Sequence, residues 1–175
     1  MKVSITKLTG IDVAQACCEA TMHGAESNIT VAKLARCEHS PLRALMYLVE
    51  MTDIPTFVSV HLVRHKHGVE HFVKSMRSDN PAVQAVADRN TPVNHTMLIN
   101  AQALINMARK RLCNKAHLDT FRLMLEIRMK LREVEPELVD YLVPDCVYRG
   151  GVCWELKGCG CSQDYMQVYG CITQQ

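Results

Sequence analysis

The segment from Thr96 to about Glu133 constrains the fold most, because its apolar residues return at helical spacing. In its first half Leu98, Ala101, Ile105, Ala108 and Leu112 recur at intervals of roughly 3.5 residues, the spacing of a buried helical stripe. Asn100 and Arg111 fall at nearly one azimuth, on one margin of that stripe. Gln102, Asn106 and Arg109 line the other margin. After Asn114 the pattern resumes through Leu118, Phe121, Leu125 and Met129, and Pro136 stops it. Such a helix needs a core to lie on, and the composition supplies one: 48% of the 175 residues are apolar, as in globular domains. With 10 Met, 9 Cys and only 5% aromatics, that core is built from soft, adaptable side chains.

The rest of the chain predicts shorter elements. Helices are expected near Ala14–Ala20 and Thr30–Cys37, the second capped by Asn28 or Thr30. Leu45-Met46-Tyr47-Leu48-Val49 fits a strand or a buried helix equally well. Asp53-Ile54-Pro55 reads as a helix start, with Asp53 as N-cap and proline in the first turn. That helix runs through Phe57, Val58, Val60, Leu62 and Val63, and Gly68 offers a stop. From Val143 the texture changes, with five of the nine cysteines and the sole Trp.

Several classes are excluded or disfavoured. No apolar run approaches the roughly 20 residues needed to cross a bilayer, so no membrane partner is expected. The formal charge of +2 gives no support for nucleic-acid binding. Neither a Walker loop nor a G-x-G-x-x-G fingerprint is present. Met1-Lys2-Val3-Ser4 does not open a signal peptide, and an odd number of cysteines cannot all pair. Both point to a cytoplasmic chain with reduced thiols.

Three constellations carry chemistry. Arg64-His65-Lys66-His67 places four potential cations at a helix C-terminus, with His71, Lys74 and Arg77 close behind. This run suits a phosphate or diphosphate, or merely satisfies the helix dipole. Asn100, Asn106 and Arg111 have the donors and acceptors to read a pyrimidine edge, or are simply surface. Cys146, Cys153, Cys159 and Cys161 are candidate zinc ligands, with Cys171 beyond them, although their spacing is not that of paired-cysteine knuckles. Buried thiols or a redox-labile tail are the alternative. His39-Ser40, Cys113 and His117 lack a third member for a hydrolytic triad.

In this order, the pieces resemble the flavin-dependent thymidylate synthases, the ThyX family. Its signature opens with Arg-His-Arg at a helix end and closes in Ser-x-Arg-Tyr; a later helix begins Asn-Ala-Arg-Ser-Leu-x-Asn and reaches an arginine. Here Arg64-His65-Lys66 is the first element, preceded by Glu38-His39-Ser40-Pro41-Leu42-Arg43. Asn100-Ala101-Gln102-Ala103-Leu104-Ile105-Asn106, then Arg111, is the second. The matched region runs from about His39 to Phe121. Departures fall on the chemistry. Lys66 replaces an arginine and loses its fork. Val69, His71 and Phe72 stand where the family has Ser, Asn and Glu, and Gln102 stands where it has Arg. Ser75 and Arg77 come one residue late, with Met76 on the literal register of the arginine. His61 takes the place of a frequent glutamine, and the cysteine-rich tail is similar to that of divergent virus or phage members.

The resemblance implies an α+β fold, a mainly helical body packed on a small antiparallel sheet. It divides the chain into a catalytic domain over 1–142 and a Cys-rich extension over 143–175. It implies transfer of a one-carbon unit from methylenetetrahydrofolate to C5 of dUMP, or of a related deoxyuridine nucleotide, by methylation or hydroxymethylation. FAD is the implied cofactor and NADPH the reductant. Arg64, His65, Lys66 and Asn106 would hold the flavin. Arg111 and Ser75 would be catalytic, and Asn100, Arg77, Gln102 and His61 would bind substrate. A homotetramer with composite sites, in a bacterial or virus-infected cytoplasm, completes the expectation. A non-catalytic nucleotide- or partner-binding descendant is the alternative reading, and a small zinc-binding helical protein is a third.

Overall fold

Alternation decides the ambiguous apolar run. Tyr47, Val49 and Met51 are buried while Glu50 is exposed, which is the period of a strand covered on one face. The computed structural model of the protein describes residues 1–75, 77 and 88–169. In it this run is β2 (Met46–Pro55), flanked by β1 (Lys2–Lys7) and β4 (Pro92–Asn100), with β3 (Val69–Val73) on the far edge. All neighbours are antiparallel, in the order β1-β2-β4-β3. The register aligns Val3 with Met51, Met51 with His95 and His95 with Val73, so these residues share the inner face. Leu48, Leu98 and Phe72 belong to the opposite face, where Phe72 is 59% exposed.

Asp53 is not a helix cap. The β2–β4 register slips between Met51 and Ile54, and Asp53 sits there in the left-handed region at φ 55. The extra residue of this bulge lets Met51 and Ile54, three positions apart, both face inward. The helix α3 (Thr56–Leu62) therefore begins after Pro55 rather than at Asp53.

A second correction concerns Thr96–Asn100, which belongs to β4 rather than to a helix. The 3.5-residue reading joined Leu98, a half-buried strand residue, to the true helix α4 (Ala101–Arg111). Asn100 is the junction: its side chain accepts from the Ala103 N–H at 2.8 Å, an N-cap bond. Thr30 caps α2 (Val31–Cys37) by accepting from Lys33, and α1 (Ile11–Glu19) precedes it.

Helix α5 (Leu118–Val134) is present where the periodicity placed it, but it turns a different face inward. Thr120, Leu123, Met124, Ile127 and Leu131 are buried, whereas Leu118 and Met129 are each 56% exposed. A buried threonine hides that stripe from any pattern counted on apolar residues alone. Helix α5 packs on β1, then gives way at Glu135 to the short α6 (Pro136–Val139). Beyond it, Val143 and Val147 are fully buried, α7 (Asp145–Tyr148) packs on α4, and α8 (Ser162–Tyr169) packs on α7. No helix among the described residues is long and apolar enough to cross a membrane.

One polar cluster ties the sheet to the end of α5. Glu135, 5% exposed, accepts from Tyr47 Oη at 3.2 Å and pairs with Lys7 Nζ at 2.6 Å. Burial, reinforced by this carboxylate, pushes the Tyr47 phenol well above its ordinary range. Tyr47→Phe is expected to cost about 1 kcal/mol in urea unfolding, because Glu135 keeps Lys7. Glu135→Ala, which strands both partners, is expected to cost more.

Candidate functional site

The basic run is a tight turn between α3 and β3. Val63 ends the helix, the His65 N–H closes one more turn on the Leu62 carbonyl at 2.9 Å, and Arg64, Lys66 and His67 are exposed. Gly68, at φ 73, reverses the chain into β3. A Cβ there would lie 2.4 Å from Asn100 Nδ2, so only glycine meets both demands. The Gly68 carbonyl accepts from the Asn100 N–H at 3.0 Å. The turn is thus pinned to the start of α4.

Arg111, at the other end of α4, returns to the same turn. Its Nε–H donates to His65 Nε2 at 3.0 Å and its Nη2 donates to the His61 carbonyl at 2.6 Å. Burial, then the Arg111 charge, then His71 and Arg64, push His65 down to about 4. His65 is therefore neutral near pH 7, and a neutral ring accepts from a guanidinium without repelling it. Burial and neighbouring Arg64 also lower Arg111 from its usual value. Two of its donors are spent on orientation, and the rest are left for a ligand.

Arg64, His65, Lys110, Arg111 and Lys115 line one open groove of about 460 Å³. Cys113 and Glu155 complete its wall, with Glu155 Oε1 3.9 Å from Lys110 Nζ. Cations that outnumber carboxylates in a concave site favour an anionic ligand.

Asn106 and Gln102 lie on the other edge of α4. Gln102 Nε2 donates to Glu38 Oε2 at 2.9 Å and to Asn106 Oδ1 at 3.3 Å, and Arg109 Nη1 donates to Asn106 Oδ1 at 3.2 Å. Arg109 Nη2 also forms an ion pair with Glu38, and its guanidinium lies 3.4 Å from the Tyr148 ring centroid. Burial raises the Glu38 carboxyl, but hydrogen bonds from Arg109, Tyr148 and Gln102 outweigh it and hold the group below its ordinary range. Glu38 itself adopts φ 48 at the C-terminus of α2, a conformation non-glycine residues seldom take without compensation. Sequence reasoning quoted Glu38 but gave it no role.

The remaining candidates are scattered around the turn. His61 Nδ1 is 2.8 Å from Thr120 Oγ1, and its ring lies edge-on to Phe57 at 5.7 Å. Burial, then the Arg111 charge, depress its pKa. Ser75 and Arg77 are exposed beyond the end of β3, the Arg77 N–H reaching Ser75 Oγ at 3.4 Å; Met76 lies outside the described residues. Cys146, Cys153 and Cys159 line a small cavity with Cys113, a thiol absent from the predicted set. Cys161 instead accepts from Asn114 Nδ2 at 3.3 Å, and Cys171 lies outside the described residues. Among the described residues no three His, Cys, Asp or Glu side chains are arranged to hold a metal ion.

One further histidine, His95, had no functional reading in the sequence, and His71, grouped there with the cations, turns away from them to meet it. His95 is fully buried on the inner face of β4, with its Nδ1 3.0 Å from Ser59 Oγ and its Nε2 2.9 Å from His71 Nδ1. His71 Nε2 lies 2.8 Å from the His65 carbonyl. A histidine at an inward position of an alternating strand was the available signal.

No protein-family profile matches the chain, and no curated protein is similar to it in sequence. The fold, however, is similar to solved structures. A crystal structure of thymidylate synthase X (ThyX) from Helicobacter pylori with FAD and dUMP matches with a TM-score of 0.62 at 17% identity, covering 83% of this chain and 98% of that one. A second Helicobacter pylori ThyX structure, also complexed with FAD and dUMP, matches at 0.61 and 16% identity, covering 79% and 98%. The helical body on a four-stranded antiparallel sheet is a ThyX-like α+β fold.

Proposed function

We propose that this chain is a ThyX-like enzyme that uses FAD to transfer a one-carbon unit from methylenetetrahydrofolate to C5 of a deoxyuridine monophosphate, with NADPH as reductant. The observation that carries this reading is the groove in which Arg64 and His65 meet Arg111 across two helix ends. The cations present suit a phosphate-bearing cofactor. Arg64 offers a forked cation at an exposed helix end, and Lys66, exposed two residues on in the same turn and outside the groove lining, would add a point charge. When bound, FAD would supply the reducing equivalents. Arg111, oriented by His65 and the His61 carbonyl, presents its remaining N–H donors to a pyrimidine carbonyl and stabilises negative charge developing on the ring.

Asn106 does not line this groove within one chain. Its assignment to the flavin ring therefore requires a site shared between protomers, as in the proposed homotetramer. The sheet face bearing Leu48, Leu98 and the exposed Phe72 offers apolar surface for such an assembly. Methyl and hydroxymethyl transfer share these contacts, and the proposed setting is a cytoplasm.

A non-catalytic nucleotide binder is favoured by one observation. Gln102, where the family has an arginine, is tied to Glu38 and Asn106 rather than lining the groove. Dihydroflavin oxidation on adding dUMP and methylenetetrahydrofolate, with product identified by mass, separates the two readings. The proposed function predicts turnover; the alternative predicts dUMP binding without it. Arg64→Ala is expected to weaken FAD binding roughly thirtyfold or more in a fluorescence titration, the cost of one lost charged phosphate contact. A colourless protein that ignores added FAD overturns the proposal.

A further inference from the structure

We infer that Ser59, His95 and His71 are positioning residues that fix the Arg64–Lys66 turn through a one-way chain of hydrogen bonds ending on the His65 carbonyl. The direction follows from elementary proton accounting. A carbonyl only accepts, so His71 Nε2, 2.8 Å from His65 O, must carry the proton. With one N–H on the His71 ring, as in the neutral form, its Nδ1 is bare and accepts from His95 Nε2–H at 2.9 Å. His95 Nδ1 is then bare in turn, and the Ser59 hydroxyl donates to it at 3.0 Å. Every polar atom of the chain has a partner, and each tautomer is fixed by its neighbour.

The arrangement has a mechanical consequence. Ser59 belongs to α3, His95 to β4 and His71 to the edge strand β3. Their chain joins all three elements beneath the turn that carries Arg64, His65 and Lys66. The turn is held from two sides, because Arg111 takes the His61 carbonyl and His65 Nε2 while His71 takes the His65 carbonyl. Neither Ser59, His95 nor His71 lines the groove. Their influence passes through the backbone of His65, and for its effect on cofactor binding the inference rests on the reading of the groove as a flavin phosphate site.

The test uses the full chain and needs no activity. A long-range proton–nitrogen NMR spectrum at mildly alkaline pH is expected to show His71 and His95 protonated on Nε2 alone and His65 on Nδ1 alone. The opposite tautomers, or averaging between them, overturn the chain. His71→Leu removes both bonds, whereas His71→Gln keeps one donor and one acceptor. Amide exchange over residues 63–67 is expected to accelerate roughly tenfold in His71→Leu, the equivalent of one lost hydrogen bond, and to stay near wild type in His71→Gln. Unchanged exchange in His71→Leu overturns the positioning role. If His71→Leu does not fold, Ser59→Ala cuts the far end: the His65 carbonyl still dictates both tautomers, so His95 is expected to stay protonated on Nε2, and a switch to Nδ1 or averaging between the two overturns the inference equally. FAD affinity is expected to fall roughly tenfold in His71→Leu and to recover in His71→Gln. A wild-type protein that ignores FAD defeats the proposed function, while tautomer and exchange results still decide the chain.

Discussion

Replacing Arg111 by alanine is expected to damage both stability and nucleotide binding, more than any other single change in the groove. The guanidinium satisfies the His61 carbonyl and His65 Nε2, both part-buried. Stranding two such acceptors costs roughly 2–4 kcal/mol in urea unfolding. Loss of its free donors is expected to weaken dUMP binding by roughly a hundredfold, read by calorimetry. FAD affinity is expected to fall less than the dUMP affinity, since Arg64 and Lys66 remain. Arg111→Lys keeps the charge but not the fork, so it cannot serve both acceptors and is expected to recover only part of either loss. Equal loss of FAD and dUMP would show that the two roles are not separable.

The second large effect is on acid sensitivity. Burial first, then the Arg111, His71 and Arg64 charges, depress His65 to about 4; burial and His71 do the same to His95. The unfolded chain titrates these rings near their ordinary 6.5. Between pH 6.5 and 4 the unfolded state therefore binds more protons than the folded one, and stability falls as pH falls through that window. Above it the contribution is complete and flat. With a discount for the partial exposure of His65, the loss is on the order of 3 kcal/mol. Glu38, held below its usual 4.5, adds a loss of the same sign at still lower pH. Urea midpoints measured from neutral to acid pH check this, and His95→Phe is expected to flatten the slope. A stability that rises on acidification contradicts the assignment of both histidines as neutral.

Much of the frame is legible along the chain, for identifiable reasons. Helices α2 and α5 carry signals that local chemistry enforces: Thr30 before α2 and Pro136 after α5. The junction at Thr96–Asn100 is not legible, because half-buried Leu98 falls into phase with the helix that follows. Asp53 looks like a cap since the residue types of bulges and helix starts overlap, and only pairing with β4 tells them apart. The inward face of α5 is hidden by Thr120, whose hydroxyl finds its partner in His61 from another element.

The candidate site divides the same way. Residue types and order alone determine that a run of cations closes the helix after Pro55 and that a helix carrying Gln102, Asn106 and Arg109 along one edge and Arg111 on the other follows later in the chain. Those properties are local, set by backbone propensity and spacing. That Arg111 meets His65 while Gln102 and Arg109 turn to Glu38, and that His71, His95 and Ser59 line up beneath the turn, was decided only by tertiary structure. Sheet pairing brings together residues dozens of positions apart, and no periodicity within one segment records which partner another segment will supply.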